Sequence, residues 1–191
     1  MRSLFVAIPT MGWLHAGLAS RILVWTRDLG AYVICPEYLR PTSYARNWCA
    51  REFLKSDRSH LLFVDADTLP PFDAPKLLLD ADKPVVAAVV HQMKLDDDGI
   101  TKPVPMVARR EERGFVPVYG KGIVEIDTCG FGCVLIEREV FSKIDFPWFE
   151  DHPWGEGRGQ DFDFCRKAEK ADVSLYAHLD VVCSHRKQVD L

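Results

Sequence analysis

The chain has 191 residues, 48% of them hydrophobic, which suffices for one substantial core but is short for two, so a single globular domain is expected. A formal charge of -4 argues against a dedicated nucleic-acid binder, which needs a basic surface to neutralise phosphates. No apolar run reaches membrane-spanning length, and the apolar residues before Pro9 are too few for a signal sequence, so the chain reads as cytoplasmic with no transmembrane segment. Residues 4–8 are a short β-rich run stopped by Pro9, and residues 16–29 carry Leu18, Ile22, Leu23 and Trp25 at helical spacing. A second apolar strand covers 31–35, a helix covers about 43–55, and a third strand runs into Asp65. This β-α-β-α-β order builds a parallel sheet with helices on both faces, whose ligands sit beyond the carboxyl ends of the strands. Pro9-Thr10, Pro36-Glu37 and Asp65 to Asp67 all fall at such ends.

A helix at about 72–80 and a strand at 84–90 follow, and then the pattern changes to short strands near 104–108, 115–118, 123–127 and 133–136, a more antiparallel second half. Helices are expected near 138–144 and 161–171, and last apolar strands at 173–176 and 181–183. Residues 94–102, with three successive aspartates and Gly99, read as a solvated loop; residues 151–159, with three glycines, read as a mobile segment of the kind that closes over a site. The six cysteines show no Cys-x-x-Cys pairing and read as reduced core residues, with a zinc site from Cys129, Cys133, Cys183 and His185 as the less favoured alternative.

The stretch from His60 to Thr68, HLLFVDADT, drives an apolar strand into two carboxylates. Because side chains alternate along an extended chain, Asp65 and Asp67 project the same way, and two hard oxygen donors converging there suit a divalent cation carrying a diphosphate. Taken alone, an Asp-x-Asp at a strand end is more readily a turn opener.

Four blocks together resemble the GT-A glycosyltransferases, particularly small family-2-like members: VAIPT ending at Thr10, Ala45-Arg46-Asn47, LFVDAD ending at Asp67, and GFGCVLI from Gly130 followed by QDFDFCRKA from Gln160 and Ser184-His185. The resemblance implies a single α/β domain of GT-A, Rossmann-like type over residues 1–191, with a mostly parallel central sheet, helices on both faces and a smaller antiparallel portion in the C-terminal half. About 1–90 would be the nucleotide-binding half and about 91–191 the donor and acceptor half. It further implies a metal-dependent transferase moving a sugar from a UDP- or GDP-linked donor to an acceptor hydroxyl on a glycan, lipid or small molecule, with Mn²⁺ or Mg²⁺ as cofactor and a homo-oligomer left open. Asp65, Asp67 and His185 are the implied metal residues, Asp65 alternatively meeting the ribose. Pro9, Thr10, Glu37, Arg46, Asp65, Gln92, Gly130 and Gly132 are the implied nucleotide and donor contacts.

In an inverting transfer a carboxylate must take the acceptor proton, and Asp161 matches that role, ahead of Asp163. Two departures stand out. The family's acidic pair before the late helix is commonly Glu-Asp, but here its first member is Gln160, and Pro36-Glu37 replaces the usual Asn or Asp after the second strand. Bland readings exist for each residue: Asp161 as a helix-start acid, Arg46 as a solvated helix residue, His185 as a surface histidine, Gly130 and Gly132 as a bulge, Trp148 and Trp154 as core rather than sugar platforms. Competing functions are a nucleotidyltransferase, for which Met11 to Leu14 offers no glycine- and arginine-rich loop, and a noncatalytic nucleotide- or glycan-binding module, which Gln160 keeps open.

Overall fold

The computed structural model describes residues 2–95, 98–151 and 159–185. The first half alternates as β1 (Leu4–Ala7), α1 (Ala16–Leu29), β2 (Tyr32–Ile34), α2 (Thr42–Lys55) and β3 (His60–Val64). Local chemistry sets the ends of α1: the His15 ring accepts the Gly17 N–H at its start, and Gly30 closes it at φ 59, a left-handed conformation that only glycine adopts without cost. After β3 come β4 (Thr68–Leu69), α3 (Ala74–Asp80), β5 (Val85–Val89), β6 (His91–Leu95), β7 (Thr101–Pro105), β8 (Val107–Glu111), β9 (Gly114–Pro117), β10 (Ile123–Ile126), β11 (Thr128–Cys129) and β12 (Cys133–Glu137). The chain continues through α4 (Val140–Lys143), α5 (Gln160–Lys170), β13 (Leu175–Val182) and β14 (Ser184–His185).

Seven strands form one sheet in the order β10-β13-β5-β12-β3-β1-β2. β1, β2, β3, β5 and β13 run the same way; β12 lies reversed between β3 and β5, and β10 is reversed at one edge. The sheet is mostly parallel, as expected, but its antiparallel strand sits at the centre. Every residue of β1, β3 and β5 is buried, the signature of strands covered on both faces. Alternation then divides the core. Phe5, Leu61 and Phe63 face a layer closed by Phe53 of α2, Phe141 of α4 and Phe164 of α5, while Leu4, Val6, Leu62 and Val64 face Leu18 and Trp25 of α1 and Leu78 of α3.

Two expectations need correction. Residues 94–102 are not simply a solvated loop, because Lys94 and Leu95 end β6 and pair with Lys102 and Thr101 of β7 in a hairpin whose exposed, unpatterned residues gave no strand period to read. The two last strands are one, β13, with a register shift between His178 and Val182; polar His178 and Asp180 interrupt the apolar run without interrupting the ladder. The expected mobile segment falls largely on residues 152–158, including Trp154, which lie outside those described. Among the described residues no helix is long and apolar enough to cross a membrane.

Candidate active site

The site is built where β3 ends. The Asp65 N–H donates to the Gly132 carbonyl at 3.0 Å, extending the pairing of β3 with β12 by one residue and holding the strand end in place. Asp65 lies two residues beyond Phe63, and its carboxylate meets Arg46, which α2 projects inward: Nη2 donates to Oδ1 at 3.1 Å. Arg46 also donates to the Phe131 carbonyl at 3.3 Å and faces Asp161 at 3.7 Å. Its guanidinium lies over the rings of Phe63 and Phe131, 5.5 and 5.2 Å from their centroids, where the negative ring faces favour a cation. With 2% of its side chain exposed, Arg46 is not a solvated helix arginine; it is a buried cation between two carboxylates.

Burial pushes the Asp65 carboxyl above its ordinary range, and the nearby Asp161 and Asp67 charges add to that rise, against the lowering by Arg46. For Arg46 burial acts downward, but the Asp65 and Asp161 charges outweigh it and hold the guanidinium ionised. Asp161 stands in the first turn of α5, after the N-cap Gly159, where the helix dipole favours a carboxylate. Its Oδ2 accepts the Phe131 N–H at 3.1 Å, and Oδ1 meets the Gln160 side-chain amide. Asp163, the second candidate base, is 1% exposed and committed to Arg166, Lys167 and the Glu150 N–H, a structural tie.

Asp67 is held differently. Pairing of β14 with β4 sets His185 opposite Thr68, which brings the imidazole Nε2 to 3.2 Å from Asp67 Oδ2, while Nδ1 lies 3.0 Å from the His91 carbonyl. A carbonyl only accepts, so Nδ1 carries the proton there. Nε2 then faces the carboxylate either as the second N–H of an imidazolium or as a lone pair, and a lone pair there needs a proton or a metal cation shared with the carboxylate. An imidazole nitrogen and a carboxylate oxygen fit a Mn²⁺ or Mg²⁺ that takes its remaining ligands from a diphosphate and water. Among the described residues no three His, Cys, Asp or Glu side chains converge as a metal cage, since Asp65 turns to Arg46.

Two cavities flank this cluster. One, of about 220 Å³, is lined by Pro9, Thr10, Asp65 and Asp67. The other, of about 400 Å³, is lined by Gln92, Gly130 and Asp161, among others. Arg46 joins them by contacting both acids. Thr10 is buried and its hydroxyl is used in its own turn, bonded to Trp13; Glu37 is exposed, pairs with Thr10 through backbone, and stands outside the lining of either cavity. Both glycines are closely packed. A Cβ on Gly132 would come 3.0 Å from Val90 and 3.2 Å from Thr68, and one on Gly130 would meet the movable tip of Met106 and, at 3.2 Å, the Met106 Cβ, beside the larger cavity. Neither has a positive φ.

Sequence reading did not find the Phe131 backbone, whose N–H and carbonyl clamp Asp161 and Arg46, nor the Phe115, Phe162 and Met106 walls of the larger cavity. Main-chain groups leave no residue-type signal, and the walls come from elements far apart in the chain. Trp148 is a core residue, donating to the Phe141 carbonyl at 3.1 Å. The six cysteines are free thiols. Cys129 packs with Cys165 in one core layer and Cys133 with Cys183 in the other, so the alternative zinc set does not converge; these contacts, with burial, push Cys129 and Cys133 well up and keep them protonated.

No family model matches the chain, and no curated protein matches it by sequence. Solved structures do. A197 from STIV is similar at 21% identity and TM-score 0.66, covering 98% of this chain and 87% of that one. GalNAc-T7, solved with UDP, GalNAc and Mn²⁺, is similar at 15% identity and TM-score 0.57, covering 98% of this chain but 44% of that one. A UDP-glucose pyrophosphorylase, solved with UDP-glucose, is similar at 8% identity and TM-score 0.56 over 95% of this chain and 92% of its own. The chain shares its fold with these structures, an α/β architecture of GT-A-like type.

Proposed function

We propose that the protein is a metal-dependent glycosyltransferase that moves a sugar from a UDP- or GDP-linked donor to an acceptor hydroxyl with inversion. The observation that carries this reading is the Asp65–Arg46–Asp161 cluster, which joins a strand-end cavity bearing Asp65 and Asp67 to a second cavity bearing Asp161. Breaking a glycosyl–diphosphate bond puts negative charge on the leaving group. A divalent cation held by Asp67 and His185, with the GalNAc-T7 complex as precedent in this fold, would supply the Lewis acid that neutralises it. Pro9 and Thr10 form the wall on which the nucleotide rests, with Glu37 at its outer edge and Asp65 toward the ribose. Arg46 pairs with both carboxylates and is too enclosed to travel to a phosphate.

Asp161 is the general base. Its carboxylate is oriented by the Phe131 N–H, and it opens on the second cavity, where Gln92 and Gly130 complete the wall. It takes the acceptor hydroxyl proton as the oxygen attacks the anomeric carbon and the nucleoside diphosphate departs. The likeness to a pyrophosphorylase makes nucleotidyl transfer the competing reading, against which stands the loop after β1: it holds a single glycine, Gly12, and the Tyr38 side chain lies across it, so close that a Cβ would collide.

Incubation with UDP- and GDP-sugars, Mn²⁺ and a panel of acceptor alcohols separates the readings. A glycosyltransferase releases nucleoside diphosphate, a nucleotidyltransferase forms or consumes pyrophosphate, and a binding module does neither. Asp161→Asn should leave donor affinity nearly intact and cut turnover by about two to four orders of magnitude, the usual worth of a positioned base. Near-normal turnover in the folded variant would remove Asp161 from this role.

A further inference from the structure

The larger cavity has a mainly apolar lining that suits an aromatic or aliphatic acceptor better than a sugar. At about 400 Å³ it has the size of a small-molecule site. Its walls are Val104 of β7, Met106, Pro117 of β9, and the rings of Phe115 and Phe162, which meet edge to face with centroids 5.2 Å apart at 88°. Its polar side chains, Gln92, Lys94, Thr128 and Asp161, are few beside this apolar surface, so a sugar ring placed there would leave several hydroxyls against groups that do not hydrogen-bond. An aromatic or aliphatic body instead gains from the Phe pair and from Met106, whose thioether adapts to ring edges.

Charge is placed at two points. Asp161 provides the base, and Lys94 provides a cation on the wall formed by the β6–β7 hairpin. Strand alternation turns Gln92 and Lys94 of β6 toward the cavity and leaves Met93 and Leu95 on the other face, 56% and 71% exposed. Lys94 has no ion-pair partner among the described residues, and its cross-strand neighbour is a second lysine, Lys102. An ammonium at an apolar cavity wall is complementary to a carboxylate or other acidic group.

Resting on the transfer reading above, we propose that the acceptor bound in this cavity is an alcohol with an aromatic or aliphatic body and an acidic group, its hydroxyl at Asp161 and its anion at Lys94. The full chain is tested with three probes: 4-(hydroxymethyl)benzoate, benzyl alcohol and methyl α-glucoside. Each is titrated by ligand-observed NMR and then offered as acceptor with UDP-glucose or GDP-mannose and Mn²⁺.

The benzoate should bind about tenfold more tightly than either other probe, a factor that corresponds to about 1.4 kcal/mol. Lys94→Gln should reduce its affinity to that of benzyl alcohol and leave benzyl alcohol unchanged. Phe162→Gln, with Phe115→Gln as a second variant should the first not fold, should weaken both aromatic probes. Binding of methyl α-glucoside as tightly as the benzoate, or aromatic binding indifferent to the folded Phe variants, would overturn the proposal. Nucleoside-diphosphate release stimulated by the glucoside alone would overturn it while leaving sugar transfer standing. Release with none of the probes, alongside benzoate binding that depends on Lys94 and Phe162, would count against transfer and retain the cavity as a site for this ligand class.

Discussion

Arg46 shows how one buried side chain can hold two acids of a site together. It lies between carboxylates that would otherwise repel each other, with 2% of its side chain exposed and, among the described residues, no hydrogen-bond partner for its Nε. Removing the buried cation strands two acids whose side chains are 39% and 27% exposed, so solvent screens part of the penalty and the cost is about 1–3 kcal/mol, below that of a fully buried pair. Arg46→Met is therefore expected to lose stability on that order in urea unfolding, and Asp65→Asn added to it should recover part of the loss by removing one stranded charge. A loss confined to a few tenths of a kcal/mol would mean that the acids are held by something other than this cation. The sequence marked Arg46 through the Ala45-Arg46-Asn47 block as an implied donor contact, but gave no sign of its burial between two acids. Its burial follows from the packing of Phe63 of β3 and of Phe131, in the turn between β11 and β12, against its guanidinium.

At the scale of elements, β3 carries a titratable group at each end. His60 begins it, 7% exposed, with its ring 3.8 Å from Glu137 on β12. Burial, helped by Arg2, pushes this imidazole below its ordinary value of 6.5. An unfolded chain then takes up the proton at a higher pH than the folded one, so stability present at pH 7 is lost as pH falls below 6.5 through the folded-state value. His60→Gln should flatten that acid-side loss between about pH 7 and 5, measured as the denaturation midpoint against pH. An unchanged profile would assign the loss to other groups. Where β12 begins, Gly132→Ala should cost about 1–3 kcal/mol, because its Cβ has Val90 and Thr68 in the way, and Gly130→Ala should lower the midpoint too, since the Met106 tip can move aside but the Met106 Cβ, 3.2 Å away, cannot without the backbone. A wild-type midpoint in either variant would show that its neighbours yield freely. The strands and helices of the first half were readable from their periods almost to the residue, α1 included, because each buries a regular face. The hairpin of β6 and β7 was not, since exposure left its residues without a hydrophobic period.

The whole molecule couples these parts through one sheet, and ligand binding to its carboxyl-end site should register in global stability. A nucleoside diphosphate with Mn²⁺ at about one hundred times its dissociation constant should add about 2.7 kcal/mol, or roughly 5–10 °C in melting temperature for a chain of this size. Chelating the metal should abolish the shift, Asp67→Asn should remove most of it, and His185→Ala should remove less. A shift indifferent to both variants would place the metal elsewhere. By itself the sequence determined the β-α-β order, the strand-end position of Asp65 and Asp67, and the likeness to GT-A enzymes, because these depend on local periodicity and on residue types at short spacing. Only the tertiary structure decided that β12 inserts between β3 and β5, that His185 returns beside Asp67 by pairing with β4, and that Arg46 stands buried between Asp65 and Asp161. Such contacts join residues up to 118 positions apart, and the energy that selects them comes from packing and paired charge across the fold, which leaves no trace in any short window of sequence.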